Sequence, residues 1–351
     1  MSVVGKIPSL NGIRALSVLL VVVSHCGFGH VVPGGFGVTV FFMLSGYLIT
    51  TLFIDELDNS NKIKIPHFYA RRAIRLYPAM VITIIVAYFL AYFEFIGGKA
   101  TIEGAIAQLF YFANYFQLFF DGNTKTPAGT GIFWSLAVEE HFYFLYPLIF
   151  SAFLCNLDKK RLVIFLSVLM VIMLAWRIYL VEFINVSEGR IIYASDTRID
   201  SIIIGCILAL TKNPMNSLSE RKLNPSDILI IISAVACILF TFLYRDETFR
   251  LTLRFTLQGG ALFILFYYSI AFSQHPIFSF LNTRIMDRIG TYSYTIYLVH
   301  YILIEVLKKN FPLINNDLGT LFIVLVVSVF IGYLMYNYVE KPLQIYRKRC
   351  R

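Results

Sequence analysis

The sequence predicts an all-α integral membrane protein with about ten transmembrane helices in one bundle and a re-entrant or interfacial segment near 100–120. Three observations carry that reading. Of 351 residues, 58% are hydrophobic and only 15% charged, against about 25% charged in a soluble domain. Mean hydropathy is +0.71. The apolar residues are also gathered into separate runs, most of them near the ~20 residues that a bilayer requires.

Those runs fall at 9–28, 36–54, 79–97, 132–155, 162–183, 199–212, 227–244, 251–272, 290–309 and 318–340. The run 199–212 is short. Residues 100–120 form a further candidate, interrupted by Glu103, Gln108, Asn114 and Gln117. Charge decides how to read it. With a cytoplasmic N-terminus and no crossing at 100–120, nineteen lysines and arginines fall on the inner side and nine outside. A crossing there would move every later loop to the other side and abolish the bias, so the positive-inside rule favours ten spans with both termini cytoplasmic.

The remaining composition narrows the function classes. The net charge of +9 lies between apolar runs and at the C-terminus, a pattern of membrane topology that speaks against nucleic acid as a partner. Five cysteines without CxxC spacing suggest neither a disulfide scaffold nor a metal site. The N-terminal run lacks a small-residue cleavage site and is expected to be retained. One membrane domain is expected over 1–345, with a short basic cytoplasmic tail at 346–351.

Five segments place polar groups where lipid does not favour them. In "GIRALSVLLVVVSHCGFGH", Arg14 and His25 stand eleven residues apart. On a helix that is about three turns, which puts both on one face roughly 16 Å apart. Such a face either snorkels at both ends or lines a polar cavity, where His25 suits a general base. In "GIFWSLAVEEHFYFLYP", which also contains Trp134, Glu139 and Glu140 are adjacent and diverge by about 100°. One can face a cavity while the other pairs elsewhere, with Arg14, Arg177 or His25 as partners; a structural salt bridge is the plainer alternative.

In "HFYARRAIRLYPAM", Arg71, Arg72 and Arg75 share one helix face. They serve either as a topogenic anchor or as a fork for phosphates. In "VPGGFGVTVFFMLSGYLIT", Ser45 and Gly46 permit close helix approach, and Tyr47 follows. In "GTYSYTIYLVH", Tyr292, Ser293, Tyr294 and Tyr297 bring hydroxyls, and His300 is intramembrane.

Together with "YASDTRIDSIIIGCILA" and "YVEKPLQ", these segments resemble, in order and over nearly the whole chain, the membrane-bound acyltransferase family 3, the O-acyltransferases of bacterial polysaccharides. The family's "VEEQFY" stands here as "VEEHFY", which leaves the role of His141 open. The resemblance implies a ten-span helical bundle in the bacterial inner membrane. It implies transfer of an acetyl group from cytoplasmic acetyl-CoA to a hydroxyl of a cell-surface polysaccharide, such as the O-antigen of lipopolysaccharide, or of a lipid-linked oligosaccharide. Some relatives carry a periplasmic esterase-like domain, and none is expected here.

Residues and resemblance converge on one set of roles. His25 deprotonates the acceptor hydroxyl or briefly accepts the acyl group itself, with Glu139 or Glu140 orienting it, Arg14 neutralises charge, and Arg71, Arg72 and Arg75 bind the acyl-CoA. Ser45, Tyr47, Trp134, Tyr292, Ser293 and His300 are candidates to line the acceptor channel. No permanently bound cofactor and no metal is expected, and acetyl-CoA enters as donor substrate. The rival class is a polysaccharide or lipid-linked sugar flippase, which also suits buried charge and many spans.

Overall fold

A computed structural model describes residues 7–60, 62–156, 158–217, 223–311 and 317–349. Of the basic residues and cysteines counted above, Lys6, Arg221, Lys222, Cys350 and Arg351 lie outside the described residues. The described chain is helical throughout. Its helices run, in order, α1 (Leu10–Val23), α2 (Gly34–Ser60), α3 (Ile65–Tyr92), α4 (Ile102–Leu109), α5 (Ala113–Phe119), α6 (Gly122–Lys125), α7 (Phe133–Asn156), α8 (Lys159–Glu182), α9 (Glu188–Tyr193) and α10 (Ser195–Arg198). Then follow α11 (Asp200–Thr211), α12 (Pro225–Leu243), α13 (Glu247–Leu251), α14 (Leu253–Ala271), α15 (Pro276–Ser279), α16 (Arg284–Asn310), α17 (Asp317–Met335) and α18 (Lys341–Arg349).

Among the described residues, six helices are long and apolar enough to cross a membrane, and a seventh is added if α14 and the segment Pro276–Asn282, bent by 99°, count as one. That is fewer than the ten apolar runs. The difference has a physical reason. Helices α7 and α16, of 24 and 27 residues, have the length. Their composition is diluted by Glu139, Glu140 and His141 in one, and by serine, threonine, tyrosine and His300 in the other. Helix α11 is apolar but only 12 residues long. The protein is a multi-pass membrane protein in which some long helices carry polar side chains inward.

The chain divides into two compact units. The first comprises Met1–Arg14, Val38–Ile63 and His141–Arg288. Within it, α2 and α11 cross at glycine. A side chain at Gly46 would overlap the Ile202 carbonyl, and one at Gly205 would overlap that of Met43, the close approach that small residues permit between membrane helices. A buried ion pair anchors α8 to α11. Arg177 Nη1 donates to Asp200 Oδ2 at 2.6 Å, with side-chain exposures of 0% and 1%, and Arg177 Nη2 donates to the Thr256 hydroxyl. Arg198, also buried, lies over the Phe255 ring at 4.1 Å and donates to the Thr39 hydroxyl. Near the helix ends, Asp196 accepts from Arg190 and Trp176.

The second unit comprises Ala15–Gly37, Lys64–Glu140 and Ile289–Arg351. Its distinctive part is the stretch between α3 and α7. The segment 97–131 leaves and returns to one place: Gly98 and Pro127 form an antiparallel bridge, and Ala128 N–H donates to Gly97 O at 2.8 Å. Between those ends lie only α4, α5 and α6, of 8, 7 and 4 residues. None can span a membrane at ~1.5 Å per residue. The turn between α4 and α5 reaches α3, where Tyr77 donates its hydroxyl proton to Leu109 O at 3.1 Å. This excursion of short, non-spanning helices occupies the place of the re-entrant or interfacial segment expected near 100–120.

At the excursion's neck, Ala87, Ala91, Ile96 and Ile302 form an apolar cluster, and Asn310 Nδ2 donates to Phe95 O. The end of α16 thus lies against the end of α3.

Candidate active site

Regular α-helix geometry in α1 stops at Val23. Residues Ser24–Phe28 make a π turn, within which Gly27 takes φ +106°, a backbone state that glycine adopts without steric cost. The face shared by Arg14 and His25 presumes an unbroken α-helix, and the π turn changes the phase just before His25. Such turns inside helices are frequent at functional sites.

The π turn delivers His25 to α16. His25 Nδ1 lies 2.9 Å from His300 Nε2. The two rings are parallel within 3°, with centroids 5.2 Å apart, and Tyr301 closes on His25 at 4.8 Å. His300 is fully buried. Its other nitrogen, Nδ1, lies 2.7 Å from the Tyr297 carbonyl oxygen. A carbonyl only accepts, so His300 Nδ1 carries a proton. In the neutral ring, Nε2 is then an acceptor, and His25 Nδ1–H donates to it. This order of protons leaves His25 Nε2 with a free lone pair. It is the ring nitrogen without a protein partner among the described residues.

That imidazole lines a cavity of 330 Å³ together with Ser24, Cys26, His30, Lys308, Asp317 and Thr320. A side chain at Gly27 would overlap the Asp317 carboxylate, so the glycine lets that carboxylate approach the π turn. The cavity therefore offers a base, a cation and a carboxylate within one unit.

The base is supported from behind. The hydroxyls of Tyr297 and Ser135 lie 2.7 Å apart, joining α16 to the start of α7. Gly129, at φ +83°, rests directly on α16: a Cβ there would meet Ile302 Cα at 2.7 Å and Ile302 N at 2.8 Å.

The same unit holds the basic cluster of α3. Arg72 Nη2 lies 3.6 Å from Glu140 Oε1, and its guanidinium stands over the Phe68 ring at 5.8 Å. Arg71 is half-buried and Arg75 exposed. An imidazole, that of His300, thus stands behind His25, and Glu140 faces Arg72.

A family model described as an acyltransferase domain matches residues 7–337. The chain belongs to the acyltransferase 3 family. Similar to this acyltransferase are the peptidoglycan O-acetyltransferase OatA of Listeria monocytogenes, 30% identical over 96% of this chain and 56% of that protein, and the O-acetyltransferase OatA of Staphylococcus aureus, 28% identical over 96% and 57%. The putative peptidoglycan O-acetyltransferase YrhL of Bacillus subtilis is 31% identical over 96% and 55%. The chain spans about half the length of these curated relatives. No solved structure matches it.

The other candidate residues of this acyltransferase are placed as follows. Arg14 belongs to the first unit, where its Nη1 donates to Asn11 Oδ1 at 3.4 Å. Ser45 and Tyr47 are also in the first unit, and Tyr47 donates its hydroxyl proton to Asn213 Oδ1 at 2.9 Å. Trp134 is buried in the first turn of α7. Tyr292 packs on the rings of Tyr336 and Tyr333, and Ser293 donates back to the Gly290 carbonyl. His141, the departure within "VEEHFY", has Nδ1 2.7 Å from the Ser195 hydroxyl.

Sequence reasoning missed Lys308, Asp317 and Thr320 at the cavity, and Tyr301 beside His25. In the sequence Lys308 is only one of the nine basic residues counted outside. Asp317 opens α17 and reads as an ordinary helix start.

Proposed function

We propose that this acyltransferase is an inner-membrane O-acetyltransferase that moves the acetyl group of cytoplasmic acetyl-CoA to a hydroxyl of a cell-envelope glycan, with both termini cytoplasmic. The names of the relatives favour a peptidoglycan sugar over the O-antigen as acceptor. The observation that carries the reading is the His25–His300 pair, whose proton order leaves His25 Nε2 basic at a cavity wall.

In the reaction, His25 Nε2 takes the proton of the acceptor hydroxyl as its oxygen attacks the thioester carbonyl. The tetrahedral intermediate carries its negative charge beside Lys308, whose ammonium stabilises it. Collapse breaks the carbon–sulfur bond, and the CoA thiolate leaves with the proton from His25. His300 acts through His25: it accepts the Nδ1–H bond and fixes the ring's tautomer and orientation, as a carboxylate does in a hydrolase triad. Arg71, Arg72 and Arg75 supply guanidinium forks for the phosphates of CoA, with Glu140 setting the position of Arg72.

The deciding experiment supplies inside-out membrane vesicles with acetyl-labelled CoA and follows label into glycan. Label in ester linkage to sugar, lost in His25→Ala at unchanged protein level, is the expected result. Movement of unacetylated glycan across the membrane without ester formation would overturn the reading in favour of a transporter.

A further inference from the structure

The re-entrant excursion contains a second polar pocket that the chemistry at His25 does not use. Its floor is Gln108 and Thr130, and Phe116, Gln117, Asn123 and Gly131 surround it. Gln108 is 2% exposed. The orientation of its amide follows from its partner. Thr130 donates its hydroxyl proton to the Pro127 carbonyl at 2.7 Å, so that hydroxyl can only accept from Gln108, and the group 2.8 Å away must be Nε2. The amide oxygen, Oε1, is then left buried with no partner in the protein. An unsatisfied buried acceptor costs roughly 1–3 kcal/mol, so the site calls for a hydrogen-bond donor from outside the fold.

The space sets the size of that donor. The pocket leaves about 10 Å³ for the centre of a water-sized group, close to the minimum for one oxygen-sized group. A single hydroxyl fits, and a sugar ring does not. At the mouth, Gln117 is half-buried and Asn123 exposed, offering amide donors and acceptors to neighbouring hydroxyls. The floor is also tied to the catalytic helix, since Gly129, next to Thr130, rests on the α16 backbone at Ile302, two residues beyond His300.

We propose that this pocket is a hydroxyl-binding subsite for the acceptor glycan, an inference that rests on the transferase reading above. Gln108 Oε1 is closed off from solvent; a small shift of the Gln117 side chain admits one sugar hydroxyl, which donates to it, while the ring lies across the mouth between Gln117 and Asn123. The subsite thereby orients the acceptor relative to the helix that carries His300. Gln108 and Thr130 are positioning residues, and no bond to them forms or breaks.

The test uses the full chain in nanodiscs and one probe, the soluble peptidoglycan disaccharide N-acetylglucosaminyl-N-acetylmuramic acid. Two variants are compared with the parent. Gln108→Leu removes the acceptor atom at similar volume. Gly131→Ala adds a methyl at the mouth, where it would stand 3.8 Å from Gln117 Nε2 and 3.9 Å from Asn123 Oδ1, ordinary contact that leaves the fold intact.

Both variants are expected to raise the disaccharide KM roughly tenfold, the loss of about one hydrogen bond, with the acetyl-CoA KM within twofold of the parent. Disaccharide KM within twofold of the parent in Gly131→Ala, or a rise in the acetyl-CoA KM instead, overturns the subsite even if Gln108→Leu fails to fold. Saturation-transfer NMR on the same samples separates the two readings. If the parent binds disaccharide without acetylating it and Gly131→Ala loses binding, the subsite stands and the transferase reading falls. If the parent acetylates and both variants bind as it does, the subsite alone falls.

Discussion

His25 Nδ1 and His300 Nε2 stand 2.9 Å apart in rings parallel within 3°. Because His300 Nδ1 is held by the Tyr297 carbonyl, the proton between the rings belongs to His25, and the outer nitrogen of His25 is the basic one. In the proposed mechanism a neutral imidazole does the orienting work usually given to a carboxylate. The expected consequence is graded. His25→Ala should lower acetyl-transfer kcat by roughly 10²–10⁴-fold. His300→Ala should lower it less, and His300→Gln, whose amide oxygen can accept from His25, should recover part of the loss. Equal activity of His300→Ala and the parent in a transfer assay would remove His300 from the mechanism.

Arg72 and Glu140 form the other pairing of the second unit. Arg72→Ala should raise the acetyl-CoA KM with little change in the disaccharide KM. Glu140→Gln distinguishes two roles for that carboxylate. If Glu140 positions Arg72, the change follows Arg72→Ala and the double variant is no worse than either single one. If it served the His25 ring, kcat would fall at unchanged acetyl-CoA KM. A double-mutant cycle on the two kinetic constants measures this directly.

In the first unit, the Arg177–Asp200 pair is buried on both sides, with Arg198 close by. Asp200→Asn leaves Arg177 without a counter-charge. Removing one partner of a buried pair costs about 3–5 kcal/mol, so this variant should show a lower melting temperature in detergent and reduced membrane yield. A melting temperature equal to the parent's would show that the pair is not structural.

Asp196 supplies a pH dependence. Burial pushes its carboxyl up, but hydrogen bonds from Arg190 and Trp176, with the charge of Arg190, outweigh that and hold it below the usual range. A carboxyl lowered in the folded state contributes stability above its unfolded value of ~3.9, and that stability is lost as pH falls through the folded value. Thermal stability in detergent should therefore fall as pH drops below ~4. Asp196→Asn should flatten this part of the curve, and an unchanged acid slope would assign the loss to other carboxyls.

Much of this was legible in the sequence, and what was not has identifiable causes. That 100–120 does not span followed from charge bias, because a crossing there would have moved every later basic loop. His25 and His300 stood out as imidazoles in apolar runs. Their pairing did not, since 275 residues separate them and no periodicity links positions so distant. Charge complementarity could not register that Glu140 lies within 3.6 Å of Arg72. The count of ten spans rested on runs of apolar residues. Helices α7 and α16 have the length of spans, but their carboxylates, hydroxyls and imidazole lower their apolar character.

The stitched neck of the excursion carries an evolutionary consequence. With Gly98 and Pro127 bridged, the chain between them is a closed loop whose ends are already fixed, and the entropy of closing such a loop grows only slowly with its length. Insertions or exchanges inside it would leave α3, α7 and the histidine pair where they are. With the proposed subsite inside it, the excursion is expected to act as a cassette in which acceptor preference diverges between lineages while the proposed transfer chemistry stays constant.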